Sequence, residues 1–248
     1  MSWGAWPRHG LSPRLVPSEA TSAADWIVAS LHPFRCGTAG SLVPPVFAAY
    51  ARILYPARGA GGRLVRWSEV AGWSGRIYHP RMQFEPLATP AEGGGTGPKP
   101  WDGYAPGEDR AHVPALAKVL QGHTTTPDRI WYCVWEGYGD VVPQSTARVR
   151  RQARDYLLYA GTLAALDGGR TPDYWFPADR SWCVAGDVDL CWCYVGGSRA
   201  CVDAILGCPD LEAVPAEPDD GLTYDSDPVN LLTPEQWAAW NVPPPRGV

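Results

Sequence analysis

The stretch S-W-C-V-A-G-D-V-D-L-C-W-C-Y-V, running from Ser181 to Val195, decides the fold. Val188, Leu190, Trp192 and Tyr194 alternate with Asp187, Asp189, Cys191 and Cys193. That period of two gives a β-strand one large-apolar face. The stretch is long for a single strand. Gly186-Asp187 offers a two-residue type II′ turn that would fold it into a hairpin. Gly196-Gly197-Ser198 then leads into residues 199–206, where Cys201, Val202, Ile205 and Leu206 form a helical stripe that stops before Gly207.

Working outward, residues 129–136 (R-I-W-Y-C-V-W-E) and 154–160 (R-D-Y-L-L-Y-A) are apolar on both faces, as buried central strands are. Residues 114–121 read as a helix with Pro114 in its first turn. Residues 68–73 read as a single helical turn behind a Ser68 cap. Residues 44–55 fit a helical stripe and a strand face equally well, and Pro56 ends them either way. Residues 24–31 form a short element of undetermined type. The pattern predicts an α+β fold, with a mostly antiparallel central sheet and a few short helices packed on it. Residues 86–111, dominated by Gly and Pro, predict a long loop in which Trp101 and Tyr104 can dock.

Three segments follow. Residues 1–22 read as a flexible arm, ordered only where Trp3 or Trp6 dock, and residues 23–214 as a single domain. Residues 215–248 read as an acidic, Pro-rich tail. Within the tail, Thr233-Pro234-Glu235-Gln236 carries a cap, a first-turn Pro and a Gln three residues on, predicting a short helix over 234–240. Trp237 and Trp240 share its face and should pack back on the body.

Composition narrows the function. The net charge is −5 with 19% charged residues and no clustered Lys or Arg, which argues against nucleic acid. No run approaches the roughly 20 apolar residues of a membrane span, and the first ten residues have no apolar export region. The seven cysteines read as thiols of a reducing cytoplasm, several of them inside apolar runs where reduced Cys behaves as a small core residue. Cys191 and Cys193 sit on alternate strand positions that point both thiols one way, without paired zinc-knuckle spacing, so no metal is expected. No nucleotide or cofactor fingerprint is present, and none is expected to bind. Thirteen tryptophans predict an aromatic core.

Two constellations could carry chemistry. At the strand-to-helix joint, Gly196 and Ala200 flank Ser198 with the spacing of a nucleophile elbow. An α/β-hydrolase needs a His after that serine, and the last His is His123. The same joint could cradle an anion on Gly196, Gly197, Ser198 and Arg199, or Ser198 could be a plain helix cap. The second group is Trp135, Tyr138, Asp140 and Asp189. Asp187 and Asp189 pair on one face of a continuous strand, and the pair dissolves if Gly186-Asp187 forms a turn. With no complete catalytic set, the expected function is non-catalytic binding of an unknown protein or small molecule. The alternative is a hydrolase, transferase or ligand-binding protein acting on a small anionic or sugar-like molecule near residues 196–199.

Four segments carry a resemblance: Pro45-Val46-Phe47-Ala48-Ala49-Tyr50-Ala51-Arg52-Ile53-Leu54-Tyr55-Pro56-Ala57, His123-Thr124-Thr125-Thr126-Pro127-Asp128-Arg129, Trp175-Phe176-Pro177-Ala178-Asp179-Arg180-Ser181-Trp182, and Tyr194-Val195-Gly196-Gly197-Ser198. Through them, residues 30–214 resemble members of an uncharacterised family of actinobacterial cytosolic proteins. No activity, ligand or fold is implied by the resemblance. The 19 Arg against 2 Lys fit a high-GC coding sequence, so part of the Gly, Pro and Arg excess carries no structural meaning.

Overall fold

The computed structural model describes residues 10–102, 110–138, 147–151 and 154–240. The strands are β1 (Val16–Pro17), β2 (Ala49–Leu54), β3 (Ala57–Arg58), β4 (Leu64–Val65), β5 (Ile130–Trp135), β6 (Val149–Arg151), β7 (Arg154–Gly161), β8 (Tyr174–Pro177), β9 (Trp182–Gly186), β10 (Trp192–Gly197) and β11 (Ala213–Ala216). The helices are α1 (Asp25–Ser30), α2 (Trp67–Ser74), α3 (Phe84–Ala88), α4 (Val113–Gln121), α5 (Arg199–Leu206) and α6 (Pro234–Ala239).

Nine strands form one sheet in the order β1-β7-β5-β8-β9-β10-β2-β11, with β6 pairing β7 beside that path. Every pairing in it is antiparallel. The fold is therefore α+β, as the alternation predicts. Residues 181–195 are a hairpin, with β9 and β10 paired from Cys193↔Gly186 to Gly197↔Trp182. Its loop spans 187–191 rather than two residues, because the Asp187 carboxylate accepts the Asp189 N–H at 3.0 Å and closes a wider turn.

The strand period sorts side chains into two cores. Leu54, Cys133, Tyr156, Leu158, Tyr174, Phe176, Cys183, Ala185, Trp192 and Tyr194 pack on one face, with Trp67, Val70, Phe84 and Leu87 of α2 and α3. Ile53, Tyr132, Val134, Leu157, Tyr159, Trp175, Trp182, Val184, Cys193 and Val195 pack on the other, beneath α4 and α5. Burial of both sheet faces accounts for the two-sided apolarity of β5 and β7. Every tryptophan among the described residues is buried or packs against one of these cores.

Several expected boundaries differ. Residues 44–55 resolve into β2, and residues 24–31 contain α1. Ser68 lies inside α2 rather than capping it; the helix begins at Trp67. The stretch expected as loop from residue 86 begins inside α3, because Pro86 sits in the first turn, where its missing N–H costs nothing. Trp101 docks as expected, edge-on to Trp73 and Phe84; Tyr104, Trp3 and Trp6 lie outside the described residues. Leu15 belongs to a core, β1 pairs β7, and β11 crosses residue 214. The expected helix near the C-terminus is α6. Thr233 and Gln236 cap it reciprocally, and the Trp240 indole N–H donates to Thr89 Oγ1 at 2.7 Å.

Candidate functional site

The strand-to-helix joint is built by packing. Ser198 is the N-cap of α5, its hydroxyl accepting the Cys201 N–H at 3.2 Å. A Cβ at Gly196 would collide with the Phe47 ring, and one at Gly197 would press on Cys201 Sγ at 3.2 Å. The glycine pair is thus explained by close approach from both sides of the sheet. Arg199 points from an exposed position. Ser198→Ala is expected to cost about 1 kcal/mol. Arg199→Ala should be nearly silent, since a cation in the first turn opposes the helix dipole; urea unfolding of both variants reads the difference.

The second expected group lies at the opposite end of β10. There the C-terminal ends of β5 and β9 meet the N-terminal ends of β7, β8 and β10. Arg154 opens β7 and donates to Asp187 at 3.1 Å and to Asp189 at 2.6 Å. The hairpin turn was expected to separate these two aspartates. Instead the loop curls so that one guanidinium holds both. Arg154 also lies over the Trp135 ring at 4.5 Å, and Trp135 meets Tyr138 edge to face at 5.3 Å. Arg170 covers Tyr138 at 3.9 Å. Trp135, Tyr138 and Asp189 therefore share one end of the sheet, while Gly196, Gly197, Ser198 and Arg199 occupy the other. Asp140 lies outside the described residues.

Sequence reasoning missed the acid at the centre of this end. Asp173 precedes β8 and is buried, accepting the Trp135 N–H at 2.7 Å and the Tyr138 hydroxyl at 3.0 Å. Among the described residues no cation touches it, so burial dominates and pushes its carboxyl up to about 7. In the run T-P-D-Y-W only its place before a strand marked it.

Beside this end, on the α2–α3 face, is a cavity of about 380 Å³. Its walls are mainly apolar: Phe34, Leu42, Leu190, Cys191, Trp192, Leu222 and the Tyr224 ring. Its polar groups are Ser41, Gln83, Glu85, Arg151, Asp187, Asp189 and Thr223. Backbone pairs lace the loops that bound it, Leu222 N–H donating to Gly37 O and Ala39 N–H to Asp220 O. Arg151 is occupied by the structure, donating to Tyr174 Oη at 2.5 Å, to Tyr156 Oη at 3.4 Å and to the Ser41 carbonyl. Gln83 donates to Ser226 Oγ at 2.9 Å. Among the described residues, the Glu85 carboxyl has only its own backbone N–H as a hydrogen-bond partner, and burial raises its pKa.

The cysteines are all free thiols. Cys191 and Cys193 do not point one way: Cys193 belongs to the α4–α5 side, whereas Cys191 sits in the hairpin loop against the other core. Cys193 Sγ lies 3.7 Å from His112 Nε2, and that imidazole is buried, stacked on Tyr55 and lowered to about 3 by desolvation. It is held neutral in a packed core. Among the described residues no group of three or more His, Cys, Asp or Glu is arranged to hold a metal ion. No described helix is long and apolar enough to cross a membrane.

No protein-family model, curated protein or solved structure matches this chain.

Proposed function

We propose that this protein is a non-catalytic binding protein that takes a small molecule into the cavity between the 187–191 loop, α3 and the laced loops around Gly37 and Leu222. The observation that carries this reading is the cavity itself. Its volume of about 380 Å³ falls in the range of small-molecule sites, and apolar walls surround a few convergent polar groups, as such sites require. Chemistry on the occupant is disfavoured because Ser198, the serine considered for an elbow, spends its hydroxyl on a helix cap. The anionic ligand considered for the joint is disfavoured too: Gly196 and Gly197 answer to Phe47 and Cys201. A reducing cytoplasmic setting belongs to the same proposal and is supported by the seven free thiols. The resemblance to uncharacterised actinobacterial proteins adds no activity to it.

A fragment screen by ligand-observed NMR, run on the parent and on Leu222→Trp, tests the proposal. Leu222 lines the cavity, and an indole there should fill it. Fragments are expected to bind the parent and to be lost from a folded Leu222→Trp. Binding that survives the substitution would place the site elsewhere and sink the reading.

A further inference from the structure

We infer that the cavity's ligand is a small organic amine whose ammonium group pairs with Glu85 while its apolar body packs against Phe34, Trp192 and Leu222. The inference rests on the cavity being a binding site and adds the chemical class of its occupant.

Among the described residues, Glu85 is the carboxyl in the wall that no cation touches, whereas Asp187 and Asp189 share Arg154. It stands in the first turn of α3, between the buried side chains of Phe84 and Pro86. That turn is fixed from two sides. Asp227 accepts the Gln83 N–H at 3.1 Å, and the Met82 carbonyl accepts from Arg52 at 2.7 Å. The backbone that carries Glu85 is therefore held in position, and no cation touches its carboxyl among the described residues. Arg52 acts on it only at a distance, from beneath Trp192.

The three ligand charges can be weighed against one another. An anion would need a free donor cation. Arg151 is committed to Ser41, Tyr156 and Tyr174, and Arg154 to Asp187 and Asp189. It would also meet three carboxyl groups at the wall and mouth. A neutral alcohol can donate to Glu85 but leaves the half-buried charge uncompensated. An ammonium supplies both the donated hydrogen bonds and the missing opposite charge, and a partly desolvated carboxylate is stabilised most by that combination. The aromatic walls tolerate a cation as well.

The test is a matched series with one carbon frame and three charges: benzylamine, benzyl alcohol and benzoate, measured by titration calorimetry on the parent, Glu85→Gln and Leu222→Trp. Benzylamine is expected to bind the parent at least tenfold more tightly than either isostere. It should lose at least tenfold in Glu85→Gln, a volume-conserving change, with melting curves confirming that both variants fold. Equal or tighter binding of the alcohol or the benzoate, lost in Leu222→Trp, overturns the amine and leaves the cavity reading standing. So does benzylamine binding that is indifferent to Glu85→Gln but lost in Leu222→Trp. If none of the three compounds binds, the amine inference falls, and the fragment screen alone then decides the cavity.

Discussion

Arg52→Ala is expected to destabilise the fold by about 3 kcal/mol, the largest single loss anticipated outside the large apolar core residues. Arg52 lies on β2, 2% exposed, with no carboxylate in contact among the described residues. Its guanidinium lies over Trp192 at 3.8 Å and Trp67 at 5.4 Å, and donates to the Met82 carbonyl at 2.7 Å. Two opposing effects must be compared. Removing a desolvated cation relieves a cost, visible in a guanidinium pKa lowered by burial. Against that, truncation forfeits a desolvated cation–π contact of about 2 kcal/mol and a charged hydrogen bond of about 1.5–3 kcal/mol. It also opens a void between two indoles. The losses win. Arg52→Met, which restores volume without charge, should recover about half of the deficit, because the packing returns while the Met82 carbonyl, with the longer contacts to the Pro80 carbonyl and Gln83 Oε1 at 3.5 Å, still loses its donor. Urea unfolding of the three proteins measures this, and an alanine variant within 1 kcal/mol of the parent would refute it.

Arg52 also shows where sequence reading runs out. The alternation in residues 181–195 and the two-sided apolarity of residues 130–135 were legible because strand geometry repeats every two residues. The α5 and α6 starts were legible because Ser198 and Thr233 cap locally. An arginine in the middle of A-Y-A-R-I-L carries no such local signal; what makes it a core residue is the pair of tryptophans that reach it from 15 and 140 positions away. The candidate site is opaque for the same reason. Glu85 sits on a helix that runs on through Pro86, immediately before the run of residues 86–111 whose Gly and Pro content points to loop. The cavity brings together segments far apart in sequence, among them residues 37–40 and 218–222, which exchange backbone hydrogen bonds. Of the residues expected from sequence, Asp189 lines the cavity, as does its neighbour Asp187, whereas Trp135 and Tyr138 stand behind them through Arg154.

Asp173→Asn should remove a pH dependence of stability that the parent shows between about pH 4 and pH 7. The buried Asp173 carboxyl titrates near 7 in the folded protein, above its unfolded value of 3.8, so the native state holds the proton more tightly. The stabilisation is full below the unfolded value and is lost as pH rises through 7, where an unpaired charge must form in the core. At about 1.4 kcal/mol per pH unit, the interval sets a ceiling near 4 kcal/mol, and relaxation around the charge will reduce it. Asparagine reproduces the protonated form: its oxygen can accept the Trp135 N–H while its amide donates to Tyr138 Oη. The variant should therefore match the parent near pH 4 and exceed it by a few kcal/mol at pH 8. Denaturation midpoints across that range measure the difference. A parent and variant that run parallel from pH 4 to pH 8 would mean that Asp173 is ionised throughout, and that the positive charge of nearby Arg154 outweighs burial after all.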